Sequence, residues 1–148
     1  RLILDYCAVT ICGSTQPWGR KMRVWSQQQQ ARGRARLIGS GDKTNAVTAA
    51  LANGTAAHGY ELDDTHEASS SHPGAVVITA TFAVAAETNA QGPEILSAIA
   101  AGYEAMARIG RAAIIEQAVT FPATGKIQGH SAPGFNRFAQ YRPDPMSQ

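Results

Sequence analysis

A polar stretch from His58 to Gly74 separates two long segments that consist mostly of alanine and aliphatic residues. It holds three of the four histidines and four of the eleven acidic residues of the chain. The flanking segments repeat apolar residues at spacings of three and four, as helices do, and strand signals are almost absent. We therefore expect an all-α fold in which most of the usable acid–base chemistry lies in one loop.

Two helices are predicted before that loop. Residues 1–12 carry a helical stripe that stops at a glycine. A second helix is capped by Asp42 or by Thr44 and runs to about Gly59, with small residues along one face. Gly54 in its middle costs about 1 kcal/mol relative to alanine, so we expect a backbone or a ligand to need that space.

Between these helices, residues 14–43 are rich in glycine, glutamine and arginine, and we expect a loop there. It is predicted to contain one short helix around Arg23–Gln30 and a short extended piece over residues 36–40. Residues 1–43 carry eight Lys or Arg and only two acids. Such a basic region can bind nucleic acid, but a solvated linker, or a surface that meets another part of a larger protein, is the preferred interpretation.

Two further helices are predicted from proline in the first turn. His72 is the expected N-cap of a helix that begins at Pro73, and the apolar character of this helix on all sides marks it as central. The next helix follows the Asn-Ala-Gln-Gly-Pro turn and extends beyond Gly110. It pairs Glu104 with Arg108 one turn apart.

Two features bear on the environment of the protein. Cys7 and Cys12 fall on different faces of one helix, so we expect no disulfide, and a reducing, cytoplasmic compartment fits. The longest apolar run, residues 75–86, is too short to span a bilayer. Neither a membrane nor nucleic acid is a predicted partner.

The polar stretch is either a solvated loop or the wall of a site, because polar groups are costly to bury without partners. We favour the wall of a site. His72 is the predicted acid–base residue, since imidazole exchanges protons near neutral pH. Three carboxylates can orient it or take a proton themselves: Glu61, Asp63 and Asp64.

Three residues of the same loop are predicted to bind a substrate that carries a carboxylate: Asp63, Thr65 and Gly74. Thr65 can donate a hydrogen bond to it, and the helix N-terminus around Gly74 carries free N–H groups and a partial positive charge. Metal binding is chemically allowed for mixed carboxylate and imidazole ligands, namely Asp63, Asp64, His66 and His72. Since these residues lack a recognisable ligand spacing, no metal or cofactor is predicted.

Three motifs, in this order along the chain, resemble the MmgE/PrpD family. The first is Ala-Leu-Ala-Asn-Gly-Thr-Ala-Ala-His-Gly-Tyr-Glu-Leu-Asp-Asp-Thr-His, and the second is Ser-His-Pro-Gly-Ala-Val-Val-Ile-Thr-Ala. The third is Ile-Ala-Ala-Gly-Tyr-Glu-Ala-Met-Ala-Arg-Ile-Gly. The family includes 2-methylcitrate dehydratase, cis-aconitate decarboxylase and iminodisuccinate epimerase.

The resemblance implies a mainly helical homodimer that needs no metal and acts on small polycarboxylates. The expected chemistry is proton removal next to a carboxylate, followed by loss of water, loss of CO₂ or reprotonation. Asp64 and Thr65 match the family's Asp-Asp-Thr, and His72 matches its His-Pro histidine. Glu61 stands where many members have aspartate, which lengthens the reach of the carboxylate by one methylene.

The resemblance also bears on domain organisation. Family members are about three times longer, so residues 1–130 look like part of their helical domain and residues 131–148 like an irregular tail. The segment Phe-Pro-Ala-Thr-Gly at residues 121–125 has proline where histidine is usual. We therefore expect a lyase half-site with little turnover by itself, and the alternative is a non-catalytic helical remnant that dimerises through small-residue faces.

Overall fold

A computed structural model of the protein describes the backbone of residues 1–120 and the side chains of residues 1–113. Within that range the all-α class is confirmed, since five helices account for most of the structure. The helices are α1 (Leu2–Ser14), α2 (Pro17–Gln28), α3 (Ala46–His58), α4 (Thr79–Thr88) and α5 (Gly92–Thr120). Two short strands, β1 (Ala35–Arg36) and β2 (Lys43–Thr44), pair antiparallel between α2 and α3.

Helix α3 lies at the centre of the fold and packs against α1, α2 and α4. Two buried apolar clusters form the core around it. One consists of Tyr6, Ala57, Ala75, Ile78 and Ile99, and the other of Ala35, Leu37, Ala49, Ala52 and Ala83. Because most of these side chains are small, the helices approach closely.

The start of α3 differs from the prediction. Asn45 is its N-cap, and the Asn45 side chain accepts a hydrogen bond of 2.8 Å from the backbone N–H of Thr48. Asp42 instead forms an ion pair with Arg23, with 2.8 Å between Oδ2 and Nε, and Thr44 belongs to β2. Both predicted caps were therefore wrong, since a tertiary partner and strand pairing engage those residues.

The space required around Gly54 is confirmed. A β-carbon at this position would lie 3.3 Å from the carbonyl oxygen of Ala75, which is closer than a relaxed contact. The neighbour is the backbone of the segment that follows the polar loop. Gly54 therefore lets α3 approach that segment closely.

Helix α2 is longer than predicted and begins earlier. It starts at Pro17, and Gln16 before it is extended, which is the ordinary arrangement of proline at a helix start. The predicted extended piece over residues 36–40 overlaps β1 only at Arg36. The glycines and glutamines of this region weaken the helical signal in the sequence. Helix α2 nevertheless forms there and packs on α3.

The helix after the polar loop also differs from the prediction. Pro73 rather than His72 is the N-cap, and residues 74–78 form a π-helical turn before α4. Val76 and Val84 are more than half exposed, so the helix is not buried on all sides as expected. The wider turn alters which side chains face the core, and Ile78 is fully buried.

Helix α5 agrees with its prediction. The side chain of Glu94 accepts a hydrogen bond of 2.7 Å from the N–H of Gln91, and the backbone stays helical to Thr120. Glu104 and Arg108 pair at 2.6 Å on the exposed surface. Among the helices of residues 1–120, none combines the length and the apolarity that a membrane span needs.

The described residues test the prediction for the two cysteines but not the predictions for residues 121–148. Both cysteines are free thiols, as expected. The motif at residues 121–125, the end of the predicted domain at residue 130 and the predicted irregular tail lie outside the described residues.

Candidate functional site

A buried carboxylate organises the polar loop. The Asp63 side chain is 1% exposed, and its Oδ1 lies 3.1 Å from Nδ1 of His58 and 3.5 Å from Nδ1 of His72. The two imidazole rings pack edge to face, with 4.8 Å between their centroids and an interplanar angle of 61°. Since a buried carboxylate is costly without partners, the two histidines explain how Asp63 is tolerated there.

Three different elements bring this trio together. His58 is the last residue of α3, Asp63 lies in the loop, and His72 directly precedes the N-cap of the π-helical turn. The chain turns back between the end of α3 and the π-helical turn. The three residues therefore meet at the end of α3 that carries His58. The His58 side chain is 46% exposed and the His72 side chain 17% exposed, so this end is open to solvent at His58.

Asp64 makes a separate set of contacts. Its Oδ1 accepts a hydrogen bond of 2.7 Å from the backbone N–H of Gly74, and its Oδ2 accepts one of 2.8 Å from the hydroxyl of Tyr103 on α5. The first N–H of the π-helical turn is therefore bound by a residue of the protein itself. Asp64 links the loop to two helical elements.

The environment of Tyr103 shifts its ionisation. Burial raises the pKa of Tyr103 well above the usual value near 10, and the hydrogen bond to the Asp64 carboxylate raises it further. The phenol consequently stays protonated and donates to Asp64 at neutral pH. The Tyr103 hydroxyl therefore holds the loop through its hydrogen bond to Asp64.

The third histidine of the loop is engaged elsewhere. Nδ1 of His66 shares a hydrogen bond of 2.7 Å with the hydroxyl of Ser69, which lies 2.6 Å from the hydroxyl of Ser71. A short 3₁₀ turn, Glu67–Ser69, contacts α5 at this point. His66 thus belongs to a turn structure rather than to the Asp63 group.

Glu61 and Thr65 lie on the same loop and are exposed. Glu61 has a φ of 53°, a left-handed conformation that is uncommon for a residue with a side chain. Across the described range, no side-chain hydrogen bond of either residue is seen, in contrast to Asp63 and Asp64. Both side chains are directed to solvent, where they can meet a ligand.

The four residues weighed as metal ligands are not all brought together. Asp64 is directed to Gly74 and Tyr103, and His66 to Ser69. Within the described residues, the set that places one donor atom of each member within 4.8 Å of the others is His58, Asp63 and His72. The 3.1 Å contact of His58 with Asp63 has the length of a hydrogen bond, whereas the 3.5 Å distance from His72 to Asp63 is that of an ion-pair contact.

The prediction from sequence assigned no role to two residues of this site. His58 was recognised as part of the polar stretch, and its position five residues before Asp63 is the signal that could have selected it. Tyr103 lies in the third family-like motif, yet nothing local connects it with a loop 39 residues earlier in the chain. Only the packing of α5 shows that contact.

Comparisons of the sequence with known proteins identify a family and several relatives. Residues 1–132 match the sequence model of the MmgE/PrpD N-terminal domain. Over 116 residues the chain is 33% identical to a cis-aconitate decarboxylase of Aspergillus terreus, an alignment that covers 75% of this chain and 24% of the relative. Over 119 residues it is 31% identical to the cis-aconitate decarboxylase-like protein oryM of Aspergillus oryzae, with the same coverage.

The chain spans about a quarter of the length of these curated relatives. No solved structure gives a significant match.

Proposed function

This chain belongs to the MmgE/PrpD family, and we propose on that basis that it forms the N-terminal part of a lyase for a small polycarboxylate. His72 is the acid–base residue in this proposal. The observation that carries it is the buried Asp63 carboxylate, which lies 3.5 Å from Nδ1 of His72 and contacts Nδ1 of His58 at 3.1 Å.

The role of Asp63 follows from its burial. An ionised carboxylate that accepts from Nδ1 fixes the orientation of an imidazole and favours its protonated form during proton transfer. With Nδ1 of His72 directed to Asp63, the proton is exchanged with substrate at Nε2, on the opposite side of the ring. Asp63 is then a positioning residue, and the substrate contact proposed for it from sequence is less favoured.

Asp64 also acts by positioning in this proposal. Both of its oxygens accept hydrogen bonds, from Gly74 and from Tyr103. These contacts hold the loop against the π-helical turn and so keep His72 in place. The N–H of Gly74 would reach a substrate carboxylate only if Asp64 released it.

Glu61 and Thr65 supply the exposed groups for substrate. The hydroxyl of Thr65 donates to a carboxylate of the substrate, and Glu61 assists proton transfer from the other side of the loop. The left-handed backbone at Glu61 directs its side chain outward. Such uncommon conformations are often kept at functional sites.

The class of substrate is supported by the relatives. Two curated relatives are named after cis-aconitate, a small polycarboxylate, and after decarboxylation. Proton removal next to a carboxylate is compatible with loss of CO₂, loss of water or reprotonation, so 2-methylcitrate dehydration stays within the proposal. We take cis-aconitate as the first ligand to test.

A thermal-shift titration of the purified chain with cis-aconitate, citrate and 2-methylcitrate tests the proposal. A ligand that binds only the folded state stabilises it by about 2.7 kcal/mol at a hundredfold excess over Kd. We expect a shift for the wild type and a clearly smaller one for His72→Ala. His66→Ala is the matched control, since it removes a histidine of the same loop that lies outside the Asp63 group.

A shift of unchanged size in His72→Ala, or one that His66→Ala reduces equally, would contradict the proposed role of His72. Absence of a shift with all three ligands, in a chain that unfolds cooperatively, would contradict an autonomous site.

A second candidate function is a helical dimerisation unit without catalysis. It is favoured by large apolar side chains that are at least 66% exposed: Leu4, Val47, Leu62 and Ile109. Such side chains are commonly buried in contacts between subunits. Light scattering coupled to size exclusion distinguishes the candidates, because a monomer at all concentrations would exclude dimerisation of this chain.

A further inference from the structure

The geometry points to an anion-binding site formed by Arg34, Arg36 and Lys43, distinct from the polar loop. Its ligand is a small organic anion with two or more carboxylate or phosphate groups. The site lies where β1 and β2 meet the end of α4. It does not depend on the proposed catalytic role of His72.

The strand register brings the positive charges together. Arg36 is directly opposite Lys43 in the antiparallel pair, so their side chains lie on one face of the ribbon. Arg34, two residues before Arg36, lines the same surface cavity as these two residues. Two arginines of this basic segment and Lys43 thus converge on one cavity.

Like charges at opposite positions of a strand pair are destabilising. Within the described residues, none of the three cations forms an ion pair, whereas Arg23 and Arg108 each bind a carboxylate. The hydrogen bonds of the guanidinium groups go to neutral oxygens. Arg34 donates to the side chain of Asn89 at 3.2 Å, and Arg36 donates to the carbonyl of Gly41 at 3.4 Å.

The carboxylate that contacts this segment leaves the charge of the three side chains largely uncompensated. Oε1 of Glu87 accepts hydrogen bonds from the backbone N–H groups of Arg34 and Ala35, at 2.9 and 3.4 Å. Glu87 therefore holds the backbone of this segment. One acid against three cations leaves an excess of positive charge, which an anion would neutralise.

The cavity suits a small organic molecule. Its volume is about 540 Å³, within the range of ligand pockets, and its other wall consists of apolar side chains from α4 and the start of α5. Phe82, Ala85, Ala86 and Ile95 belong to this wall. An apolar wall beside three cations fits a carbon skeleton that carries several anionic groups, whereas the phosphates of a nucleic acid need an extended track of charge.

Calorimetric titration with citrate and with pyrophosphate, at constant ionic strength, tests the site and separates carboxylate from phosphate ligands. The wild type is compared with Arg36→Gln/Lys43→Gln and with His72→Ala. We expect the double variant to bind at least about tenfold more weakly, because it loses two charge-assisted contacts. His72→Ala should retain binding at the cavity, because His72 does not line it.

Two controls sharpen the test. Lys21→Gln/Arg32→Gln removes two exposed cations that do not line the cavity, and it should leave the affinity unchanged. Without ligand and at low ionic strength, Arg36→Gln/Lys43→Gln should melt at a higher temperature than the wild type, since it removes the repulsion. If the double variant does not fold, as judged by circular dichroism, Lys43→Gln alone replaces it.

Binding of pyrophosphate alone or of citrate alone supports the site and identifies its ligand group. Equal affinity of the wild type and the cavity variant overturns it, as does an equal loss in Lys21→Gln/Arg32→Gln. Binding of citrate that only His72→Ala abolishes would assign the ligand to the polar loop and overturn this site. Failure of both anions to bind overturns it as well.

Discussion

Asp63 and Asp64 are adjacent in the chain, yet their carboxylates face different partners. Asp63 is directed to two histidines, and Asp64 to a backbone N–H and a phenol. Adjacent residues in an extended loop project to opposite sides, which allows one short motif to serve two structural purposes. The first of them orients the proposed acid–base residue, and the second anchors the loop.

Asp63→Asn tests the first purpose. The amide keeps the size of the side chain but removes the charge that both histidines contact, so we expect cis-aconitate to stabilise the variant much less than the wild type. Stability without ligand should fall by about 1–2 kcal/mol. Thermal-shift titration measures both effects, and Glu67→Gln, an exposed change in the same loop, should retain the response of the wild type.

Tyr103→Phe tests the second purpose. The variant loses only the hydroxyl that donates to Oδ2 of Asp64, and a hydrogen bond to a charged group contributes about 1.5–3 kcal/mol. We expect the free energy of unfolding in urea to fall by about 2 kcal/mol. Tyr60→Phe is the control, because the ring of Tyr60 packs on Trp18 and the variant retains that ring; an equal loss there would contradict the specific role of Tyr103.

At the scale of helices, the position of the loop depends on how closely α1 and α3 approach. The backbone of Gly13 lies against the carbonyl of Ala56, with no room for a β-carbon between them. The end of α3, which carries His58, is therefore held at a distance that only glycine permits. Helix α1 continues through Gly13 to Ser14 instead of stopping at the glycine as predicted.

Gly13→Ala should disturb this packing. The added methyl group overlaps the Ala56 carbonyl, and overpacking of this kind costs about 1–3 kcal/mol. Urea denaturation measures the loss. Gly92→Ala is the matched control, since a β-carbon there would meet nothing within 4 Å, and the hypothesis fails if both variants lose the same stability.

At the scale of the whole molecule, two tyrosines make the free energy of unfolding depend on pH in the alkaline range. Burial raises the pKa of Tyr6, although hydrogen bonds with Thr79 and Thr10 offset part of the effect. Burial and the Asp64 carboxylate raise the pKa of Tyr103. In both cases the folded state holds its proton more tightly than the unfolded state, whose tyrosines titrate near the ordinary value of 10.0.

Stability should therefore be fully present below about pH 10 and should fall as the pH rises above it, because only the unfolded state releases its protons there. Urea denaturation between about pH 8 and about pH 11 measures the slope. We expect Tyr103→Phe to have a shallower slope than the wild type. Equal slopes would show that Tyr103 does not contribute to the pH dependence.

The sequence by itself determined the helical class, the positions of α1, α3 and α5 to within a few residues, and the loop that carries His72. Helical spacing, proline at first turns and the density of polar residues are local signals, and they suffice for these features. Local signals misplaced the caps of α3 because Asp42 and Thr44 have partners elsewhere in the fold.

Only the tertiary structure decided which groups meet. Asp64 and Tyr103 are 39 residues apart, and Arg34 meets Asn89 across 55 residues. Such contacts depend on how helices with small-residue faces pack, and packing is a property of the whole chain that no local spacing encodes. The sequence thus supplied the residues of the polar loop, and the packing of α3 and α5 decided their partners.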